Sequence, residues 1–142
     1  MMNENEIVEK DLSYLVMQAA FEVYNQLGPG FPEAIYEHEL PARGLEIERR
    51  KRIVVYCKGI PLAGFVLDLV VNKRIILELN AVVEITRIHE QQALSNLKAT
   101  GLPLAIIIYF GAGRVQSSRV VNTKGKAEIP PGPPKSRKLP DY

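Results

Sequence analysis

GFVLDLVVNKRIILELNA, Gly64 to Ala81, is the stretch on which the reading of this chain turns. Two apolar, β-forming segments flank the polar triplet Asn72-Lys73-Arg74. Each segment carries one acid, Asp68 on the first and Glu78 on the second. An ionised carboxylate is costly inside an apolar strand unless it is paired, hydrogen-bonded or metal-bound. The pattern predicts a hairpin with arms at residues 63–71 and 75–80. A three-residue loop at Asn72–Arg74 pairs Val71 with Ile75 and, counting back, sets Asp68 opposite Glu78 and Val66 opposite Asn80. Opposed residues share a face, with Cβ atoms about 4.5–5.5 Å apart. A two-residue turn pairs Asp68 with Leu77 instead and sends the acids to opposite faces. The register is therefore a requirement of any site built on both acids.

Upstream of the hairpin, Leu12, Leu15, Val16, Ala19, Ala20, Val23 and Leu27 recur at helical spacing behind Asp11, a candidate cap, and Gly28-Pro29 closes that helix. Pro32 suits the first turn of a second helix, on which Glu33, Tyr36, Glu37 and Leu40 share a face before Pro41 ends it. Glu33 has a structural reading as well, a carboxylate stabilised by the positive helix N-terminus. His38 has no second histidine at ligand spacing and reads as surface or packing. Residues 45–57 read as a long or bulged strand with the basic centre Arg49-Arg50-Lys51-Arg52. That run can contact phosphates or serve as the charged edge that deters aggregation. Lys58–Pro61 is a turn.

Downstream, Thr86 is a cap for a third helix over Arg87–Thr100, which Gly101 ends. Leu102–Phe110 reads as a fully buried strand, Gly111-Ala112-Gly113 as a turn, and Arg114–Val121 as a final amphipathic strand. The order is helix, helix, three strands, helix, two strands. It predicts an α/β fold with a mixed sheet of about five strands flanked by helices. A single domain is expected over residues 1–121, followed by a Pro/Lys-rich tail, 122–142, too poor in apolar residues to pack.

At 142 residues the chain can bury a real core. No apolar run approaches the roughly 20 residues that span a bilayer, and the acidic N-terminus lacks the apolar core of an export signal, so a cytoplasmic protein is expected. Cys57 is the one cysteine, which excludes an internal disulfide and a cysteine-built zinc site. The net charge of +2 hides an asymmetry, eight acids and one base in residues 1–40 against seventeen bases and eight acids in residues 41–142. Such a split can mark a face for nucleic acid or merely a solvated surface.

Two carboxylates on facing strands suit a hard divalent cation. Mg²⁺ keeps several waters and is often held by one or two protein carboxylates together with phosphate oxygens. Bound there, it can activate water and stabilise a leaving oxygen. A lysine often completes such a site. Two residues beyond Glu78, however, stands Asn80, which hydrogen-bonds but cannot act as a base near neutral pH.

Taken together, Gly30-x-x-Glu33-x-x-Tyr36, Asp68, Glu78-Leu79-Asn80 and the run from His89 through Gln92 to Gly101 resemble the GxxExxY protein family, assigned to the PD-(D/E)XK nuclease superfamily with its restriction-endonuclease-like core. The resemblance covers roughly residues 10–120. It implies that Asp68 and Glu78 bind Mg²⁺ or Mn²⁺, that Glu33 is a helix-borne acid of the site, and that Gln92 is the helix glutamine near it. The chain departs from the family's Glu-x-Lys at Asn80. Lys98 is a substitute in name, but it lies about 240° around the helix from Gln92.

Three readings follow from the residues and the resemblance. One is a Mg²⁺-dependent nuclease, endo- or exonucleolytic, acting on DNA or RNA through Glu33, Asp68, Glu78, Asn80 and Gln92, with activity weakened at Asn80. A second is a catalytically inactive module of the same fold that binds nucleic acid or protein. The third is a structural protein whose acids pair with Arg or Lys. Cutting both strands of a duplex would call for a homodimer.

Overall fold

The computed structural model describes residues 7–79 and 84–122. Asn80 and almost all of the expected tail lie outside them. Asn122, the first residue of that stretch, is described. Its Nδ2 donates to the carbonyls of Leu97 and Leu102, both at 3.0 Å.

Helix α1 (Lys10–Leu27) buries Val16, Ala19, Ala20 and Val23, the stripe that its spacing predicts. Its N-cap is Glu9, and Asp11 falls inside the first turn, where a negative charge favours the helix dipole without capping it. The second helical segment departs further from expectation. Residues Ile35–Glu39 form a π-helical turn that passes into a short α2 (Leu40–Ala42). The Leu40 N–H reaches back to the Ile35 carbonyl, so buried Ile35 and Leu40 stack five positions apart and the face expected from α spacing is not kept. Pro41 does not end the segment. It sits at the start of α2, where a missing N–H breaks no helical bond.

The sheet has five strands in the order β1-β2-β3-β4-β5: β1 (Ile47–Cys57), β2 (Ile60–Val71), β3 (Ile75–Leu79), β4 (Leu104–Phe110) and β5 (Val115–Val121). All neighbours are antiparallel except β3 and β4, which run parallel across the crossover helix α3 (Arg87–Thr100). This is the mixed, helix-flanked sheet of a restriction-endonuclease-like core. α1 and the Ile35–Leu40 segment cover one face, over Leu69, Val71, Leu77 and Ile106. α3 covers the other, over Leu67, Val70, Ile76 and Ile107. With both faces covered, β4 reads as an unbroken apolar run.

The β2–β3 turn has the predicted register, with Val71 opposite Ile75 and Leu69 opposite Leu77. Asn72 and Lys73 are both left-handed, at φ 51° and 56°. Asn72 also straps the turn to the entry of β1, its N–H donating to the Glu46 carbonyl at 2.8 Å and its Oδ1 accepting from the Glu46 N–H at 2.7 Å. The turn between β1 and β2 is tighter than expected. Only Lys58 and Gly59 intervene, both at positive φ, and Ile60 and Pro61 already belong to β2.

The β1–β2 ladder is irregular at two levels. Near the tip the register shifts between Val55 and Tyr56, leaving Leu62 unmatched. The other lies nearer the cleft. Arg49 pairs with Leu69 and Lys51 with Leu67, bracketing Arg50 and Asp68. Arg50 is left-handed, at φ 52°. Alternation fails there. Leu69 and Val71 belong to the α1-side core, yet Leu67 packs with Val70 against α3, and Ile53 and Phe65 follow it. Each strand therefore carries one extra residue at the same level, Arg50 on β1 and Asp68 on β2. Beyond this point the two strands continue as an arm whose Tyr56, Ile60, Leu62 and Val66 are exposed.

Candidate metal centre and phosphate cleft

A cleft of about 240 Å³ opens between the Ile35–Glu39 turn and the sheet, lined by Pro32, Glu33, Tyr36, Arg49, Arg50, Asp68, Leu69 and Leu79. Two consecutive residues from β1 and two from β2 face it together. A regular strand cannot do this, because neighbours alternate faces. The extra residue in each strand is what turns both Arg50 and Asp68 into the cleft beside Arg49 and Leu69. Glu33 comes from the other wall, just ahead of the π-helical turn, with its carbonyl accepting from the Glu37 N–H at 2.9 Å. Tyr36 presents its ring to Arg49, whose guanidinium carbon stands 4.5 Å from the ring centre. A larger hollow of about 670 Å³ lies at the N-terminal end of α1. There Glu9 and Arg74 already pair with each other.

Glu78 is reached from the other side. Asn96 of α3, only 7% exposed, donates its Nδ2 to Glu78 Oε1 at 3.0 Å. Gln92, one turn earlier, donates its Nε2 to Asn96 Oδ1, also at 3.0 Å. A carboxylate only accepts, so the ionised Glu78 dictates which way the Asn96 amide points. That in turn leaves Oδ1 free to receive Gln92. The acid, the amide and the glutamine form one directed chain running out along α3.

The two halves adjoin at the end of the β2–β3 ladder. The β2–β3 ladder ends at Leu69–Leu77, one residue short of Asp68 on β2 and of Glu78 on β3. Burial pushes the Glu78 carboxyl above its ordinary pKa, the Asn96 bond opposes that rise, and the nearby Asp68 charge adds to it. Burial likewise raises Asp68, with the Arg50 charge pulling it down. The acids are close enough for the Asp68 charge to be felt at Glu78, but the expected shared face is not kept: Asp68 lines the cleft while Glu78 bonds Asn96 under α3, because the strands change parity at Arg50 and Asp68.

Of the residues expected to form a site, the fold brings Glu33 and Asp68 into one cleft and joins Glu78 to Gln92 through Asn96. Asn80 lies outside the described residues. Lys98 is exposed in the last turn of α3, away from the buried Asn96 face. What sequence reasoning missed is Asn96 and the placing of Arg50 beside Asp68 in the cleft. Asn96 had one signal, its i, i+4 spacing from Gln92.

A family model described as the PD-(D/E)XK nuclease superfamily matches residues 10–120. The chain belongs to the PD-(D/E)XK nuclease superfamily. Comparison with curated proteins and with solved structures gives no significant match. The matched region runs from the first residue of α1 to the penultimate residue of β5, so it takes in the cleft and the Glu78–Asn96–Gln92 chain together. Nucleases of this superfamily typically use divalent metals. Among the described residues, no group of three or more His, Cys, Asp or Glu side chains is gathered to hold an ion. The donors that do adjoin are two carboxylates, each raised in pKa by burial. A hard cation that keeps most of its water shell is the kind that one or two carboxylates can hold, and a nearby positive charge would relieve both groups. No helix among the described residues is long and apolar enough to cross a membrane.

Proposed function

We propose that the chain is a divalent-metal-dependent nuclease that hydrolyses phosphodiester bonds of nucleic acid. The observation that carries the reading is the cleft itself. It combines Glu33 and Asp68 with two arginines, and Glu78 is near enough to sense the Asp68 charge. Asp68 and Glu78 would hold Mg²⁺ or Mn²⁺, which supplies charge to the phosphoryl oxygens and to the leaving oxygen and makes a water nucleophilic near neutral pH. Glu33 lies across the cleft from Asp68, in place to accept a hydrogen bond from that water. Arg49, steadied on Tyr36, keeps a positive wall facing the phosphate backbone. Gln92 acts through Asn96 and keeps the Glu78 carboxylate ionised and aimed. Asn80, two residues beyond Glu78, contributes hydrogen bonds but no charge, so turnover is slow. A homodimer is the assembly that would cut both strands of a duplex. The working domain closes near residue 122, and the protein acts in the cytoplasm.

The test is cleavage of labelled DNA and RNA by purified protein with Mg²⁺ or Mn²⁺, against EDTA and against Asp68→Ala and Glu78→Ala. Activity that survives both substitutions rules the reading out. Asn80→Lys is expected to raise the rate sharply. A second reading, a nucleic-acid-binding module without turnover, draws on the loss of the lysine at position 80. It predicts salt-sensitive binding with no cleavage even in the Asn80→Lys protein.

A further inference from the structure

We propose that Arg50 is the phosphate-gripping cation of the cleft, supplying from β1 the positive charge that a lysine at position 80 would otherwise supply. The inference rests on reading the cleft as a phosphodiester site and assigns one of its contacts.

Three observations carry it. Arg50 occupies a backbone conformation that non-glycine side chains avoid, φ 52° in the middle of a strand. Such a residue costs on the order of 1–3 kcal/mol and persists where the surroundings enforce it, most often at functional sites. The matching extra residue on the partner strand is Asp68, so the irregularity presents a base and an acid together on one wall of the cleft. The neighbouring arginine is already engaged, since Arg49 lies over the Tyr36 ring. Arg50 lines the same cleft, and its charge reaches Asp68. A guanidinium there has the five-donor fork that matches a phosphate, where an ammonium offers only a point charge. Solvated regular strand would carry the charge of the Arg49–Arg52 run equally well. It would not need a left-handed residue opposite the acid.

Arg50→Gly and Arg50→Lys in the full chain test this. Glycine accepts the left-handed backbone without a Cβ penalty, so the Gly variant removes the charge and keeps the fold. Circular dichroism checks that it has done so. Binding of a fluorescein-labelled duplex in EDTA is followed by anisotropy from low to moderate salt. Arg50→Gly should weaken binding about tenfold at low salt and lower the slope of log K against log salt by about 0.9, the release expected for one lost phosphate contact. Arg50→Lys should keep the slope. A purely structural role would not move it. With Mg²⁺ present, the Gly variant should lose cleavage and the Lys variant should retain part of it. A Gly variant with wild-type affinity and slope overturns the proposal while leaving the nuclease reading in place, and so do equal slopes for the Gly and Lys variants. A wild-type chain with no salt-dependent binding at all sinks both.

Discussion

Asn96→Ala tests the directed chain behind Glu78. Asn96 is 7% exposed and gives Glu78 a 3.0 Å hydrogen bond. A bond to an ionised group is worth roughly 1.5–3 kcal/mol, a neutral one roughly 0.5–1.5. Truncation also removes packing, so the single-mutant loss mixes two effects. A double-mutant cycle with Glu78→Gln separates them, because the amide introduced there still accepts from Asn96 but carries no charge, and the packing loss is common to both backgrounds. The loss on truncation should therefore be larger in wild type than in the Glu78→Gln background by about 1–1.5 kcal/mol, or about 3–6 °C in midpoint temperature for a chain of this size. Urea unfolding at pH 7 in EDTA measures it. The difference should shrink as falling pH protonates Glu78. Equal losses in the two backgrounds, within about 0.3 kcal/mol, would mean that the Asn96 bond does not serve the charge, and the account of how Glu78 stays ionised would fail.

Glu78→Gln alone should change the pH dependence of stability. The folded-state pKa of Glu78 lies above its ordinary value of 4.5. As pH rises from below that value, the unfolded chain ionises first and the folded chain holds more protons, so stability falls until the raised folded pKa is passed and then stays level. Glu78→Gln should be more stable than wild type at pH 7, with the gap closing below the ordinary carboxylate range. Thermal melts in EDTA across that range check it, and a gap that widens on acidification contradicts the assignment. Lys98→Ala should leave any cleavage essentially unchanged, because Lys98 is exposed in the last turn of α3, on a different face from the buried Asn96. A loss of about a hundredfold, the scale of a positioned acid or base, would show instead that Lys98 has taken over the missing lysine's task.

The hairpin was legible because a turn is local. Asn72-Lys73-Arg74 sets the register through its own backbone, and of the two pairings the sequence left open the structure has the three-residue loop, Val71 opposite Ile75. The Arg50–Asp68 irregularity was not legible. On β1 it falls in the run Arg49-Arg50-Lys51-Arg52, where no apolar residue marks which face is which. On β2 it falls among Leu67, Leu69, Val70 and Val71, all buried, on a strand whose two faces are both covered, so a change of parity leaves no polar residue out of place. Asn96 looked like an ordinary polar residue on a helix, and only its burial and the acid across from it reveal otherwise. The π-helical turn defeated the α spacing read from Glu33 to Leu40. Pro41 is an unreliable stop because a proline at a helix start breaks nothing. The turn expected over Lys58–Pro61 is two residues shorter in the structure, because Ile60 and Pro61 stay paired with Cys57 and Tyr56.

Counting around Arg50 and Asp68 has a consequence for how this fold can change. Remove both, and Arg49 is followed directly by Lys51 while Leu67 is followed directly by Leu69. The alternation of the two strands is then regular from Ile47 and Val71 as far as the Val55–Ala63 pair, where the register shifts at Leu62. Remove only one, and every side chain of that strand beyond the gap changes sides relative to its partner. Insertion or loss at this level is therefore tolerated only as a matched pair. A Δ50/Δ68 double deletion should fold where either single deletion should not. The scaffold is complete without these two residues, and the chemistry of the cleft is an addition one residue deep in each strand.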